Sequence, residues 1–165
     1  MEKTPTRLKD YWPLIALLVV IALQAICLAY GERRYVYQAM HFFMGLFFCL
    51  FAMFKFFDLR GFVEGFRLYD VVTQKVSFYG YLYPFLELAL GLSYLAFFHP
   101  LWTYSLTVLL MGISAFGVIQ ALKQGLDTRC ACLGTVLKVP LSSVTLIEDL
   151  GMGVMACIMF FLFFR

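Results

Sequence analysis

Long runs of uncharged, apolar residues constrain this chain more than any other feature of its sequence. The first run, residues 11–31, has no charged side chain and is as long as one membrane-spanning helix. Further runs follow at about 37–57, 78–98, 101–122 and 142–164. Only 14% of the residues are charged, against about a quarter in soluble domains, so polar groups cannot cover the surface. We therefore predict an all-α integral membrane protein with five transmembrane helices in contact with the lipid bilayer.

Two details of these runs predict how the helices are arranged. Residues 58–76 are too charged to span, but their apolar side chains recur at helical spacing, which predicts one amphipathic helix in the membrane interface. Pro84 should break the third span. Small residues on the fourth span predict a close contact with another helix, and they are Gly112, Ser114, Ala115 and Gly117.

The basic residues predict the orientation of the chain, because Lys and Arg concentrate on the cytoplasmic side. With the N-terminus inside, ten basic residues fall in the cytoplasm and three outside. The ten are Lys3, Arg7, Lys9, Lys55, Arg60, Arg67, Lys75, Lys123, Arg129 and Lys138, and the three are Arg33, Arg34 and Arg165. We expect a bacterial inner-membrane protein with its N-terminus cytoplasmic and its C-terminus outside. Basic residues at the edges of apolar runs do not indicate a nucleic-acid partner.

Cys130 and Cys132 lie in the short polar stretch between the last two apolar runs, which this orientation places in the cytosol. Two thiols at this spacing can chelate Cu(I), Zn(II) or Hg(II), or can cycle between dithiol and disulfide. The spacing alone does not distinguish metal binding from redox chemistry, and the thiols could also be incidental turn residues. A permanent disulfide is disfavoured in a reducing cytosol. The remaining cysteines fall in three different runs, which argues against a four-cysteine zinc site.

Charged residues inside the apolar runs form the second candidate site. They are Lys55, Glu87, Glu148 and Asp149. Because an ionisable group in the bilayer costs ~2.5–3.5 kcal/mol, such groups usually pair or line a wet cavity. Lys55 could pair with Glu87 or with Glu148, either to close a cavity beneath the cysteine segment or only to fix helix register. Asp149 should point to another face from Glu148, so that one of the two caps or meets the amphipathic segment.

Soft side chains also recur in two spans. Met40, His41 and Met44 occupy adjoining faces of the second span, and a methionine stripe follows the last span at Met152, Met155 and Met159. Such a row could conduct Cu(I), although methionine is also an ordinary apolar filler, and we favour the filler interpretation.

Several motifs occur together in a recognisable order. They are Phe54-Lys55-Phe56-Phe57-Asp58, Gly61-Phe62, Tyr69-Asp70, Tyr83-Pro84-Phe85-Leu86-Glu87, and Cys130-Ala131-Cys132-Leu133-Gly134 followed by Pro140-Leu141-Ser142 and Glu148-Asp149. Over roughly residues 37–160 the chain resembles the MauE branch of the DoxX-like membrane proteins. The resemblance implies a four-helix membrane domain over residues 37–165, preceded by a tail and an additional helix in residues 1–36.

The resemblance also implies a function linked to thiol redox. MauE proteins are associated with maturation of the disulfide-rich small subunit of methylamine dehydrogenase, beside a thioredoxin-like partner. Some relatives with the Cys-Ala-Cys-Leu-Gly form resemble companions of heavy-metal-associated carrier domains. We therefore expect Cys130 and Cys132 to exchange disulfides with a thioredoxin-like protein, with Lys55, Glu87 and Glu148 beneath them. The alternatives are transfer of Cu(I) or Hg(II) to a soluble carrier, and a non-catalytic scaffold.

Overall fold

The computed structural model describes residues 12–68, 70–123 and 141–164, and these residues form helices and short turns without a strand. In chain order the helices are α1 (Trp12–Ala29), α2 (Tyr35–Phe57), α3 (Leu59–Phe66), α4 (Val71–Lys75), α5 (Ser77–Leu95), α6 (Pro100–Lys123) and α7 (Leu141–Phe163). The predicted all-α architecture is therefore confirmed over the part of the chain that the structure describes.

Within that part, four helices are long and apolar enough to cross a membrane. They are α1, α2, α6 and the Leu146–Phe163 portion of α7. Large apolar side chains point outward from these helices, for example Trp102 at 72% exposure and Phe161 at 74%. A surface of this kind is stable against lipid and not against water. Helix α5 has 19 residues, but it is not among the four, because tyrosines, glycines and Glu87 lower its hydropathy.

The predicted single amphipathic helix over residues 58–76 is instead two short helices. The Asp58 carboxylate accepts a hydrogen bond from the Gly61 backbone N–H at 3.0 Å, and the Asp70 carboxylate accepts one from the Thr73 N–H at 2.6 Å. Each aspartate is therefore an N-cap, and the second N-cap starts a new helix where a continuous one was expected. The apolar face of α3 is buried within the protein and does not face lipid.

The bundle contains two closely packed helix pairs, α2 with α5 and α6 with α7, and α1 lies along α2. The backbones of α2 and α5 touch at Gly45 and Gly91. A Cβ atom at position 91 would lie 2.9 Å from the Cys49 backbone nitrogen and 3.0 Å from the Gly45 carbonyl oxygen. Glycine at both positions is what allows this approach.

Two expectations about packing need correction. Gly112, assigned to a contact stripe on the fourth span, faces open space, since a Cβ atom there would meet nothing within 4 Å. The other members of that stripe, Ser114, Ala115 and Gly117, are buried as expected. Helix α5 runs through Pro84 without ending there, so proline does not break this span.

Candidate functional site

A buried ion pair joins α2 to α5. The Lys55 ammonium contacts the Glu87 carboxylate directly, and the two residues are only 2% and 4% exposed. Lys55 lies two residues before the end of α2, and Glu87 lies near the middle of α5. The sequence leaves Glu87 and Glu148 open as partners of Lys55. The structure shows that Lys55 contacts Glu87. A pair removed from water in this way is a costly arrangement that needs further polar contacts.

Aromatic rings cover the ammonium on two sides. The Lys55 Nζ atom lies 5.5 Å from the centre of the Phe62 ring and 5.0 Å from the centre of the Tyr83 ring, both within cation–π range. The Tyr83 hydroxyl also hydrogen-bonds the Glu87 carboxylate. Helix α3 thus contributes to the site, because its buried face places Phe62 over the lysine.

The other two acidic residues border the same space. A cavity of about 20 Å³ lies between the ion pair and Glu148 and Asp149 of α7. The Ser114 hydroxyl, from α6, donates a 2.6 Å hydrogen bond to the Asp149 carboxylate. Glu148 and Asp149 thus both border one cavity, and Asp149 also contacts α6 through Ser114. The volume suits about one water molecule.

The composition of this cluster indicates its chemistry. One ammonium group and three carboxyl groups line a single small cavity. Carboxyl groups held away from bulk water can change their protonation more readily than carboxyl groups at a solvated surface. Groups of this kind can accept a proton and return it. The arrangement is therefore suited to proton exchange inside the bundle.

The cavity lies near the end of the bundle that the cysteine-bearing segment joins. Cys130 and Cys132 themselves lie outside the described residues. That segment connects α6, which ends at Lys123, to α7, which begins at Leu141. Glu148 is seven residues into α7, or about 10 Å along the helix at the usual rise per residue.

His41 takes part in a separate hydrogen-bond network at the opposite end of α2. Its Nδ1 atom donates to the Tyr94 carbonyl oxygen at 3.2 Å, and its Nε2 atom is bonded to the Tyr104 hydroxyl. That hydroxyl lies 2.6 Å from the hydroxyl of Tyr37. Both ring nitrogens are thus engaged, which does not fit a copper ligand. In the described residues, no group of three or more His, Cys, Asp or Glu side chains could hold a metal ion.

Three contributors to the charged site are not predicted from the sequence: Phe62, Tyr83 and Ser114. Tyr83 precedes Glu87 by four residues, a spacing that places both side chains on one helix face and could have indicated their contact. The sequence predicts Ser114 only as a small residue at a helix contact. It predicts Phe62 as part of the apolar face of residues 58–76, and nothing in the sequence indicates that Phe62 covers Lys55.

Removing the Ser114 hydroxyl tests the Asp149 contact. We expect Ser114→Ala to lower the free energy of unfolding by about 1–3 kcal/mol, because a buried carboxylate loses a donor. Ser105→Ala is the matched control, since that exposed hydroxyl donates to the Leu101 carbonyl of its own helix and, among the described residues, to no other helix. Unfolding of the detergent-purified protein would be followed by circular dichroism. Equal stability of the two variants would contradict a structural role for the Ser114–Asp149 bond.

The fold and this site define a class: a helical integral membrane protein with a charged cavity inside its bundle. The family model described as "Methylamine utilisation protein MauE" matches residues 33–162. This range is most of the chain, and the protein belongs to the MauE family. No curated protein and no solved structure is significantly similar to the chain.

Proposed function

We propose that this protein is a membrane thiol-redox factor that helps an exported protein mature. Cys130 and Cys132 exchange disulfides with a thioredoxin-like partner, and the charged cavity serves their protonation. The observation that carries the proposal is the position of this cavity, about 10 Å along α7 from the end of the cysteine-bearing segment. Membership of a family of methylamine-utilisation membrane proteins supports it.

The exchange balances without an external oxidant. The Cys130 thiolate attacks the partner's disulfide and forms a mixed disulfide, which releases one partner thiolate. The Cys132 thiolate then attacks the Cys130 sulfur, which closes the intramolecular disulfide and releases the second partner thiolate. Two electrons and two protons thus move from this chain to the partner. Because only the thiolate reacts, a nearby group that accepts the thiol proton favours the first step.

The proposal includes a topology with five spans. Helix α5 would be about 28 Å long at 1.5 Å per residue, enough to cross most of the hydrocarbon core, and it packs against α2. Helices α3 and α4 would lie at the cytoplasmic interface of a bacterial inner membrane. The N-terminus would be cytoplasmic and the C-terminus outside. Residues 1–36 would form the added helix, and residues 37–165 the family's four-helix domain.

Thiol trapping tests the redox function. We expect Cys130 and Cys132 to form a reversible disulfide, detected as the loss of two maleimide-reactive thiols on oxidation and their return with reduced thioredoxin. The measurement uses a variant with Cys27, Cys49 and Cys157 changed to serine, so that only these two thiols react. Further change of Cys132 to serine should abolish intramolecular closure and trap the mixed disulfide with the partner. Absence of a reversible disulfide would overturn the proposal.

The same protein distinguishes the alternatives. Metal transfer predicts stoichiometric Cu(I) binding in a competition titration, lost in Cys130→Ser, with no disulfide exchange. A scaffold predicts that a variant lacking both thiols still supports client maturation in cells. The redox function predicts that this variant fails, whereas Cys157→Ser alone does not.

A further inference from the structure

A second, unrelated feature lies at the opposite end of the bundle, where α1 ends and α2 begins. Here a surface groove of about 530 Å³, the arginine groove, is lined by Arg33, Arg34, Tyr35, Val36, Tyr37 and Leu162. A neighbouring apolar groove of about 260 Å³ shares Tyr35 and Val36 with it and continues between α1, α2 and α7. A basic pocket that opens into an apolar channel has the form of a site for an amphiphile.

The two arginines are exposed, and no acidic side chain of the described residues neutralises them. Neither Arg33 nor Arg34 forms a salt bridge among the residues that the structure describes. The neighbouring carboxylate of Glu32 is instead bonded by the Gln38 side-chain amide at 3.1 Å. The Arg34 guanidinium lies 5.8 Å from the centre of the Tyr37 ring, and both residues line the arginine groove. Two free guanidinium groups favour a phosphate, which they can bind with paired hydrogen bonds.

The His41 network adds a hydrogen-bond acceptor to this groove. A carbonyl oxygen only accepts, so the bond to Tyr94 requires a proton on His41 Nδ1. In the neutral ring Nε2 is then an acceptor, and the Tyr104 hydroxyl donates to it. With that hydrogen used, the Tyr104 oxygen accepts the hydrogen of Tyr37. The Tyr37 oxygen is left able to accept a further hydrogen bond, and Tyr37 is one of the residues that line the groove.

We propose that the two grooves together bind one anionic glycerophospholipid with a hydroxyl-bearing headgroup, of the phosphatidylglycerol class. The phosphate is bound by Arg33 and Arg34, a headgroup hydroxyl donates to Tyr37, and one acyl chain lies in the apolar groove. That groove is lined by Ala25 of α1, Ala39 of α2 and Met155 of α7. The bound lipid thus holds α1 against the rest of the bundle. This proposal is independent of the thiol function.

Native mass spectrometry of the full chain in detergent tests the site. The probes are dioleoyl phosphatidylglycerol and dioleoyl phosphatidylcholine, which have the same acyl chains, so the comparison isolates the headgroup. We expect one tightly retained phosphatidylglycerol and weaker phosphatidylcholine binding. Changing both Arg33 and Arg34 to Gln should weaken phosphatidylglycerol binding by about tenfold or more, because two charge-assisted contacts are lost.

The controls make the result specific. Changing Arg60 and Arg67 to Gln removes two exposed arginines at the other end of the bundle and should leave binding unchanged. Ala39→Trp should fill the apolar groove and also reduce retention. Equal loss in both arginine pairs, or equal binding of the two lipids, would overturn the proposal. If inorganic phosphate competes away the lipid at equal concentration, the site recognises a free anion and the lipid assignment is wrong.

Discussion

Replacing Lys55 with methionine is expected to lower the free energy of unfolding by about 3–5 kcal/mol. The change removes the ammonium that contacts Glu87 and leaves that carboxylate buried without its cation. Methionine retains most of the packing against Phe62 and Tyr83. The loss of stability would therefore come from the missing charge and not from a cavity. Unfolding of the purified protein in mixed micelles would measure it. Lys75→Met is the matched control, because Lys75 is exposed.

A second substitution distinguishes charge neutralisation from general damage. If the cost comes from the uncompensated Glu87 carboxylate, combining Lys55→Met with Glu87→Gln should restore much of the lost stability. Additive losses in the double variant would argue against coupling of the two groups. A Lys55→Met variant as stable as Lys75→Met would show that the pair contributes little to the folded state.

The second large effect is expected at the contact between α2 and α5. Gly91→Ala should destabilise the protein by about 1–3 kcal/mol, because the added methyl group meets the backbone of α2. That neighbour is main chain and cannot rotate away, so the two helices must separate. Gly112→Ala provides the control, since its methyl group would enter open space. Alanine is the better helix former, so this control should be neutral or slightly stabilising.

Thermal unfolding in detergent would measure both alanine variants in parallel. The interpretation depends on their difference, because each replaces glycine with alanine inside a helix and changes intrinsic propensity equally. If the Gly91→Ala protein unfolded at the same temperature as the Gly112→Ala protein, that result would contradict the backbone contact between α2 and α5.

The membrane class and the main helices could be predicted because membrane-spanning helices appear in the sequence as long apolar runs. Residues 11–31 and 37–57 correspond closely to α1 and α2. Ionisable residues in apolar runs also identified Lys55 and Glu87, since burial of a lone charge is costly at any position. The predicted third span, residues 78–98, is a different case: α5 has the required length, but its composition does not identify it as a membrane helix.

The remaining details depend on contacts between residues that are distant in the chain. Whether Gly91 or Gly112 faces a neighbouring helix is decided by the rotation of α5 and α6, which periodicity alone leaves open. The Asp149 contact required knowing that Ser114, 35 residues earlier, faces α7. A new helix begins after Asp70 because the Asp70 side chain caps it. The helical spacing of apolar residues continues across this break and therefore did not predict it. The role of Cys130 and Cys132 stays a prediction.

The position of Glu87 has a consequence for biosynthesis. In the proposed five-span topology, α5 must enter the bilayer although it carries a carboxylate and has low hydropathy. Its neutralising lysine and the glycine that admits its backbone both lie on α2, which is synthesised first. Integration of α5 therefore depends on α2 already being in the membrane. A chain whose α2 failed to integrate would leave α5 at the membrane surface, beside α3 and α4.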